Sequence, residues 1–515
     1  MPGSDENRSR ATTMSDSPSP ATRSGHRLLF PAAIGFLSLL CVLRYYPDLQ
    51  AFYSVAFGDL GWPLAVDALL DDGLIPTRDF GYFYGLLALA IDRIWFAIVG
   101  RTPATVAALI ALGCAFLALG LIRFARAARL SGSQRALLVA CVPVAVMPLQ
   151  YPTPIHAIEV ALLMNALAFQ ARGKLSAALT LATVAAFVKP GLAYVYGLSL
   201  IVLILTGRSG VGPRWRDRAA PLLVAAAVGL AIAIPLAVWF GIGPLIDTLL
   251  PFRAMRNYGD ENFGFFFGDG RHFWMPEPFH PYHYLFTPAG FWLLATLCLS
   301  LGAIRHLARL RDPAAATAAT CAALHLVFVC LLFGNRWSWL YYSAILVCGL
   351  CATIPETAEG RPPARRSWML PAFLAMLAIF GQIGPSVPAY DHWRDWRRFD
   401  ATAGLYADPD EASEWQRVRD LARQGHRVMV FSNTGASFVV FPEVDSPHVW
   451  FLLRSTATPI EIERVKAQLR SATRLILPYI VDYPLYPTWP EFEGELAAFR
   501  EVERMPSFRV YRRDR

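Results

Sequence analysis

From residue 28 onward, long apolar runs alternate with short polar breaks. The runs are too continuous to be the amphipathic helices of a water-soluble core. A membrane-spanning helix needs about 20 predominantly apolar residues. Runs of this kind lie near 28–46, 104–122, 136–150, 155–171, 175–188, 191–207, 219–240, 287–304, 314–333, 340–355 and 367–384. They predict eleven spans. A further apolar run, Tyr82 to Val99, carries Asp92 and Arg93 at its middle. Charge at the bilayer centre is costly. That run is therefore expected to lie at the interface, or to enter shallowly without crossing.

The placement of basic residues supports that choice. With eleven spans and the N-terminus inside, the short inner loops hold Arg123, Arg126, Arg129, Arg135, Arg172, Lys174, Arg208, Arg214, Arg216, Arg218, Arg305, Arg309, Arg311, Arg361, Arg365 and Arg366. The short outer loops hold only Lys189 and Arg336. This is the positive-inside pattern, and counting Tyr82–Val99 as a span would invert it. Two outer loops are then long, 44–103 and 241–286, and the C-terminus lies outside.

Residues 1–27 lack apolar periodicity and are rich in Ser, Thr, Pro and Arg, so they are expected to form a disordered cytoplasmic tail. A cleaved signal peptide is not expected, because the polar leader is long and no small-residue cleavage site precedes Arg44. Residues 28–384 make up the membrane domain. Residues 385–515 read differently. Trp393, Trp396 and Phe399 alternate with charges over 391–399, which suits a helix on the headgroup surface. Helical patterns at 411–424, 459–471 and 489–499 then alternate with apolar strands at 428–431, 474–480 and 508–511. Such alternation predicts a small extracytoplasmic α/β domain.

Composition narrows the picture. The apolar share is 55%, the mean hydropathy +0.38 and the charged fraction only 17%, which excludes a wholly disordered chain. The net charge of +8 resides in the membrane region, and no basic stripe marks the C-terminal part as a nucleic-acid binder. All eight Cys fall in apolar runs with no metal-ligand spacing, and are expected to be small buried helix residues. Only three Lys occur, Lys174, Lys189 and Lys466, against 44 Arg. A Lys in a special place therefore stands out.

The candidate chemistry lies at the outer ends of the spans. The segment from Asp59 to Gly85 holds an acid just past the first span, an amphipathic helix containing Asp67, a turn at Gly73 and Pro76, and then Arg78, Asp79, Tyr82 and Tyr84. Asp71 and Asp72, just before Gly73, suit a helix end and turn. Lys189-Pro190 sits between two short spans. His156 and Glu159 are three residues apart and share a helix face. Arg256 lies in the aromatic-rich loop 241–286, and Arg336 in another outer loop.

The 59–85 segment and the Lys189-Pro190 site resemble those of the GT-C glycosyltransferases. These are integral membrane enzymes that use polyprenyl-phosphate sugars, such as protein O-mannosyltransferases and lipid A aminoarabinose transferases. The resemblance extends to the layout of many spans, a membrane-surface helix and an outer C-terminal domain. It implies that Asp59 is the acid at the reaction centre, taking a proton from the attacking hydroxyl. The residue-level alternative is that Asp59 caps the following helix. Asp79 either orients the acceptor, holds a metal or pairs with Arg78. The resemblance places Lys189 near the lipid phosphate, where developing negative charge needs stabilising; otherwise it snorkels. Glu159 and His156 supply a second acid at that level or a pair pinning two helices. Arg336 clamps phosphate or anchors the aromatic belt. Tyr82, Arg78 and Arg256 complete the expected substrate contacts. The metal question stays open: a divalent ion is compatible with these acids, while His272, His280 and His283 match no standard metal spacing.

The expected protein is a polytopic α-helical enzyme of the inner or plasma membrane, with its active site facing outside. It would move a sugar from a polyprenyl-phosphate donor to a lipid, glycan or protein acceptor. The competing classes are a transporter or flippase, and a polysaccharide ligase or polymerase.

Overall fold

A computed structural model describes residues 20–150, 153–207, 214–250, 288–332, 342–353, 396–431, 436–447, 457–478 and 490–514. It is mostly helical. The first helix, α1 (Pro20–Tyr45), begins within the stretch expected as tail. The loop that follows contains a short helix α2 (Phe52–Ala56), then α3 (Trp62–Asp71) and α4 (Leu86–Val99). Next come α5 (Pro103–Ala127), α6 (Gly132–Ala140), α7 (Val142–Val146), α8 (Pro154–Gln170), α9 (Leu175–Val188), α10 (Leu192–Leu205), α11 (Trp215–Phe240) and α12 (Ile242–Leu249). The bundle continues with α13 (Pro288–Ile304), α14 (Pro313–Leu332) and α15 (Ser343–Thr353).

Most of these helices match the apolar runs to within a few residues. One does not. The run at 136–150 is broken into α6, α7 and a 3-10 turn, with Pro143 at the start of α7. Proline lacks the N–H that a continuous helix requires. Among the described residues, only α5 and α11 have the length and apolarity to cross a bilayer on their own; the apolar stretches of the other helices are shorter. The run at 367–384 lies outside the described residues.

The surface of the bundle is apolar. On α11, Leu223 is 68% exposed and Val238 84%, and Leu230, Ile234 and Trp239 are exposed beside them. Leu198, Val202 and Leu205 of α10 extend this surface. Water does not tolerate so large an apolar face, whereas lipid chains do.

α4 uses its charges internally. Arg93 reaches Asp67 (3.1 Å) and Asp71 (2.5 Å) of α3, and Arg101 reaches the same two acids at 3.2 and 2.5 Å. These pairs clamp α3 onto α4. Asp92 is buried in the same region.

The C-terminal part opens with β1 (Arg397–Arg398) paired antiparallel to β2 (Tyr406–Ala407). This corrects the helix expected over 391–399: where that stretch is described, Arg397 and Arg398 are extended. Then follow α16 (Pro409–Arg423), β3 (Val428–Val430), α17 (Ser437–Val440), α18 (Pro459–Ser471), β4 (Arg474–Pro478), α19 (Glu493–Leu496), β5 (Phe499–Arg504) and β6 (Phe508–Arg513). The sheet order is β3-β4-β6-β5. β3 and β4 are parallel, with α18 in the crossover between them, while β5 and β6 form an antiparallel hairpin. The helical pattern read at 489–499 shrinks to a 3-10 turn and the four-residue α19. Pairing with β6 draws the chain from Phe499 onward into the sheet.

This domain shares a core with the loop after α1. Phe52 and Phe57 pack on Trp415 with ring centroids 5.2 and 5.5 Å away. Phe441 lies 5.8 Å from Phe52, and Phe508 lies 5.8 Å from Phe57. All five rings are fully buried. Arg398 donates to Gln50 at 3.1 Å.

Candidate active site

Helix termination places the lysine. The residue before a proline is pushed out of the helical region. Lys189, preceding Pro190, is accordingly extended (φ −151°, ψ 112°), although its N–H still closes the last turn of α9 onto Ala185 at 2.8 Å. Gly191 follows at φ 120°. The Lys189 side chain meets the first turns of α8, where Pro154 occupies an N-terminal position and His156 and Glu159 share one buried face.

The contacts are close. Lys189 Nζ lies 2.9 Å from His156 Nδ1, 3.5 Å from Glu159 Oε2 and 3.4 Å from Tyr342 Oη. Tyr342 Oη donates to Glu159, 2.9 Å from each carboxylate oxygen. The Glu159 side chain is wholly buried, whereas that of Lys189 keeps 18% of its surface exposed. The acid is thus wholly enclosed, while part of the Lys189 side chain reaches the surface.

The segment after α3 closes over this cluster. Gly85 N–H donates to Val188 O at 3.0 Å. A Cβ on Gly85 would lie 1.9 Å from Phe187 O, so only glycine permits this approach. The contact delivers Tyr84. Its ring is 5.9 Å from Lys189 Nζ, and its hydroxyl is 3.5 Å from His156 Nε2. The Tyr342 ring lies 5.6 Å from the same Nζ. The ammonium therefore has an aromatic face on two sides.

Asp59 joins through an aromatic chain. It opens a 3-10 turn, Asp59–Gly61, whose carbonyl at Asp59 accepts from Trp62 N–H. Trp62 stacks on Tyr82 at 5.3 Å and meets Tyr84 edge-on at 5.4 Å. Tyr84 in turn contacts His156 and Lys189. Gly61, not Asp59, is the N-cap of α3. Burial pushes the Asp59 carboxyl up to about 7, so it changes charge near neutrality.

The remaining expected residues separate. The Asp79 carboxylate takes two hydrogen bonds from Arg78, at 2.9 and 2.7 Å, and one from Ile75 N–H at 2.8 Å. The Arg78 guanidinium beside it holds its pKa below the usual carboxylate range. The pairing with Arg78, one of its expected roles, is present. Tyr82 is buried, and its hydroxyl has no hydrogen-bond partner among the described residues. Arg256, Arg336 and the three histidines at 272, 280 and 283 lie outside the described residues. Among the described residues, no group of three or more His, Cys, Asp or Glu side chains is arranged to hold a metal ion. Sequence reasoning did not single out Tyr342, which sits in an apolar run, or Tyr84, which it quoted without a role.

No family model matches this sequence, and no curated protein matches it. Two solved structures align with this chain over most of its length. One is ArnT from Cupriavidus metallidurans bound to undecaprenyl phosphate, with a TM-score of 0.41 and 13% identity. The other is the apo state of the same protein, with a TM-score of 0.40 and 14% identity. Each alignment covers 95% of this chain and 98% of that one.

Proposed function

We propose that this chain is an integral membrane glycosyltransferase that takes a sugar from a polyprenyl-phosphate donor at the outer face of the membrane. The observation that carries this is Lys189. Its ammonium rests on a buried base of Glu159, His156 and Tyr342, and its side chain is partly exposed. A fixed cation at the end of a membrane helix suits a lipid phosphate, and its charge stabilises the anion that leaves.

In the proposed reaction an acceptor hydroxyl attacks the anomeric carbon. Asp59 accepts the hydroxyl proton as the new C–O bond forms. The bond from the anomeric carbon to the phosphate oxygen breaks, and its electron pair stays on the phosphate beside Lys189. A single displacement of this kind inverts the anomeric configuration. A carboxyl whose pKa is near 7 is well matched to such a base. Trp62, Tyr82 and Tyr84 pack on one another and link the Asp59 turn to the Lys189 cluster.

The shared core of the first loop and the C-terminal domain supports the orientation. Segments in contact lie on one side of a membrane, so the number of crossings between them is even. Ten expected spans separate them, counting 367–384 and leaving out α4. The test is a screen of radiolabelled polyprenyl-phosphate sugars with membranes containing the protein, with Asp59→Asn as the control. Transfer by the wild type and none by the variant supports the proposal. Transfer within a few-fold of wild type by the variant removes Asp59 from the role of base.

A further inference from the structure

The five residues from Gly81 to Gly85 are held at both ends by parts of the chain far away in sequence. At Gly85 the anchor is Val188, next to Lys189. At Gly81 it is the C-terminal domain: Gly81 N–H donates to Glu461 Oε2 at 2.9 Å. Arg464, one turn further along α18, donates through Nη2 to Asp79 O at 3.3 Å. Tyr82 and Tyr84, which meet Trp62, His156 and Lys189, lie between the two anchors.

Glu461 has an ordinary task as well. It is the third residue of α18, and its Oε2 accepts from Thr458 N–H at 3.0 Å while the Thr458 hydroxyl accepts from Glu461 N–H at 3.1 Å. That reciprocal pair caps a helix and would be complete without any contact to Gly81. The bond to Gly81 is additional. The Glu461 side chain is buried, so losing it would strand two backbone donors away from water.

We infer that Glu461 is a positioning residue: the C-terminal domain uses it to fix the Gly81 end of the segment that carries Tyr82 and Tyr84 to Lys189. The consequence for catalysis rests on the proposed glycosyl transfer; the anchoring itself does not. The domain is then a working part of the site through this contact.

The test uses the full-length protein in detergent or nanodiscs and compares wild type, Glu461→Ala, Glu461→Gln and Thr458→Ala. Two quantities are read: amide hydrogen exchange of the peptide covering 79–85, and kcat and KM for sugar transfer. In Glu461→Ala, exchange at 79–85 rises about tenfold or more as the local opening energy falls. In the same variant kcat drops about tenfold or more, because a small misplacement of a site is costly. Glu461→Gln keeps an oxygen acceptor and stays within about threefold of wild type on both readouts. Thr458→Ala loses its share of the cap, which lowers Tm, but leaves exchange at 79–85 and kcat near wild type. Unchanged exchange in Glu461→Ala overturns the inference. So does raised exchange with kcat within twofold of wild type, or a Thr458→Ala protein that matches Glu461→Ala on both readouts. If the wild type transfers no sugar from any donor while Glu461→Ala still loosens 79–85, the anchor stands and the glycosyltransferase proposal falls.

Discussion

Lys189 Nζ lies within hydrogen-bond distance, 2.9 Å, of Nδ1 of His156. An ammonium has three donors and no acceptor, so it leaves Nδ1 as the acceptor and puts the imidazole proton on Nε2. That proton points to the Tyr84 hydroxyl 3.5 Å away. The cluster is therefore polarised in one direction, from the lysine through the imidazole to the loop tyrosine.

His156→Asn places an acceptor oxygen near the Nδ1 position, whereas His156→Ala places none. Transfer by the alanine variant is expected to fall about tenfold or more, with the asparagine variant recovering most of that loss. Steady-state rates with saturating donor check this. Equal losses in both variants would remove the Lys189–His156 bond from any role in the site.

Glu159 and Lys189 separate stability from function. Removing one member of a buried pair leaves an uncompensated charge at a cost of about 3–5 kcal/mol. Lys189→Met is expected to lower Tm markedly and to abolish transfer. Adding Glu159→Gln removes the stranded charge, so the double variant regains most of the lost Tm while remaining inactive. A double variant that recovers both stability and transfer would make Lys189 a structural residue only.

Much of this site was legible in the sequence for a physical reason. Lys189 stood out because the chain otherwise uses Arg, and its neighbour Pro190 ended a helix at that point. His156 and Glu159 were legible as two ionisable residues on one face of an apolar run. Tyr342 was not, because an aromatic residue in an apolar stretch carries no signal of the acid it meets 183 positions earlier. Glu461 was not singled out, since its partner Gly81 comes from a loop 380 residues away. The hairpin of β5 and β6 was half missed because Phe499–Arg504 is charged and open to solvent on alternate residues. Its helix-like composition hid a strand that only pairing reveals.

Asp59 gives the pH dependence its sign. In the proposed reaction transfer needs the ionised carboxylate, and burial holds the carboxyl at about 7. The rate is expected to rise about tenfold per pH unit below that value and to level off above it. Stability moves the other way. The folded state keeps its proton from the usual 3.8 up to about 7, so it binds more protons than the unfolded chain across that window. The contribution of Asp59 to stability is therefore full below the usual value and declines as pH rises through the folded one. Asp59→Asn abolishes the rate limb and flattens this part of the stability profile. An acidic limb in the wild type centred near pH 4 would contradict the assignment.

Gly85 makes a steric prediction. A methyl group at this position would meet Phe187 O at 1.9 Å and Phe187 C at 2.4 Å, and backbone cannot yield as a side chain end can. Gly85→Ala is expected to cost about 1–3 kcal/mol and to lift the 81–85 segment off the end of α9. Transfer should fall further than Tm suggests, because Tyr84 loses its place beside Lys189. Gly73→Ala is the comparison, since a Cβ there meets nothing within 4 Å, although its φ of 75° strains any other residue. Melting curves and transfer rates on the two variants decide the matter. Equal rates would show that the approach of Gly85 to Val188 does not matter for the site.

The orientation has a direct check. Gly173 lies between α8 and α9, among inner-loop basic residues, whereas Gly425 lies between α16 and β3 in the C-terminal domain. Both glycines have positive φ, 72° and 88°, so a substitution at either strains the backbone. The neighbouring positions Arg172 and Gln424 are therefore better sites for a reporter cysteine. Arg172→Cys is expected to react with a membrane-impermeant maleimide only after the cells are opened. Gln424→Cys is expected to react in intact cells once the reagent reaches the outer face of the membrane. The described native cysteines are buried or, for Cys298, half-buried, and the unsubstituted protein sets the background. Labelling of both positions from the same side would require an even number of crossings between them, whereas seven expected spans separate them. The positive-inside argument and the outward-facing site would then fall together, because Lys189 would no longer open to the side on which Asp59 and the C-terminal domain lie.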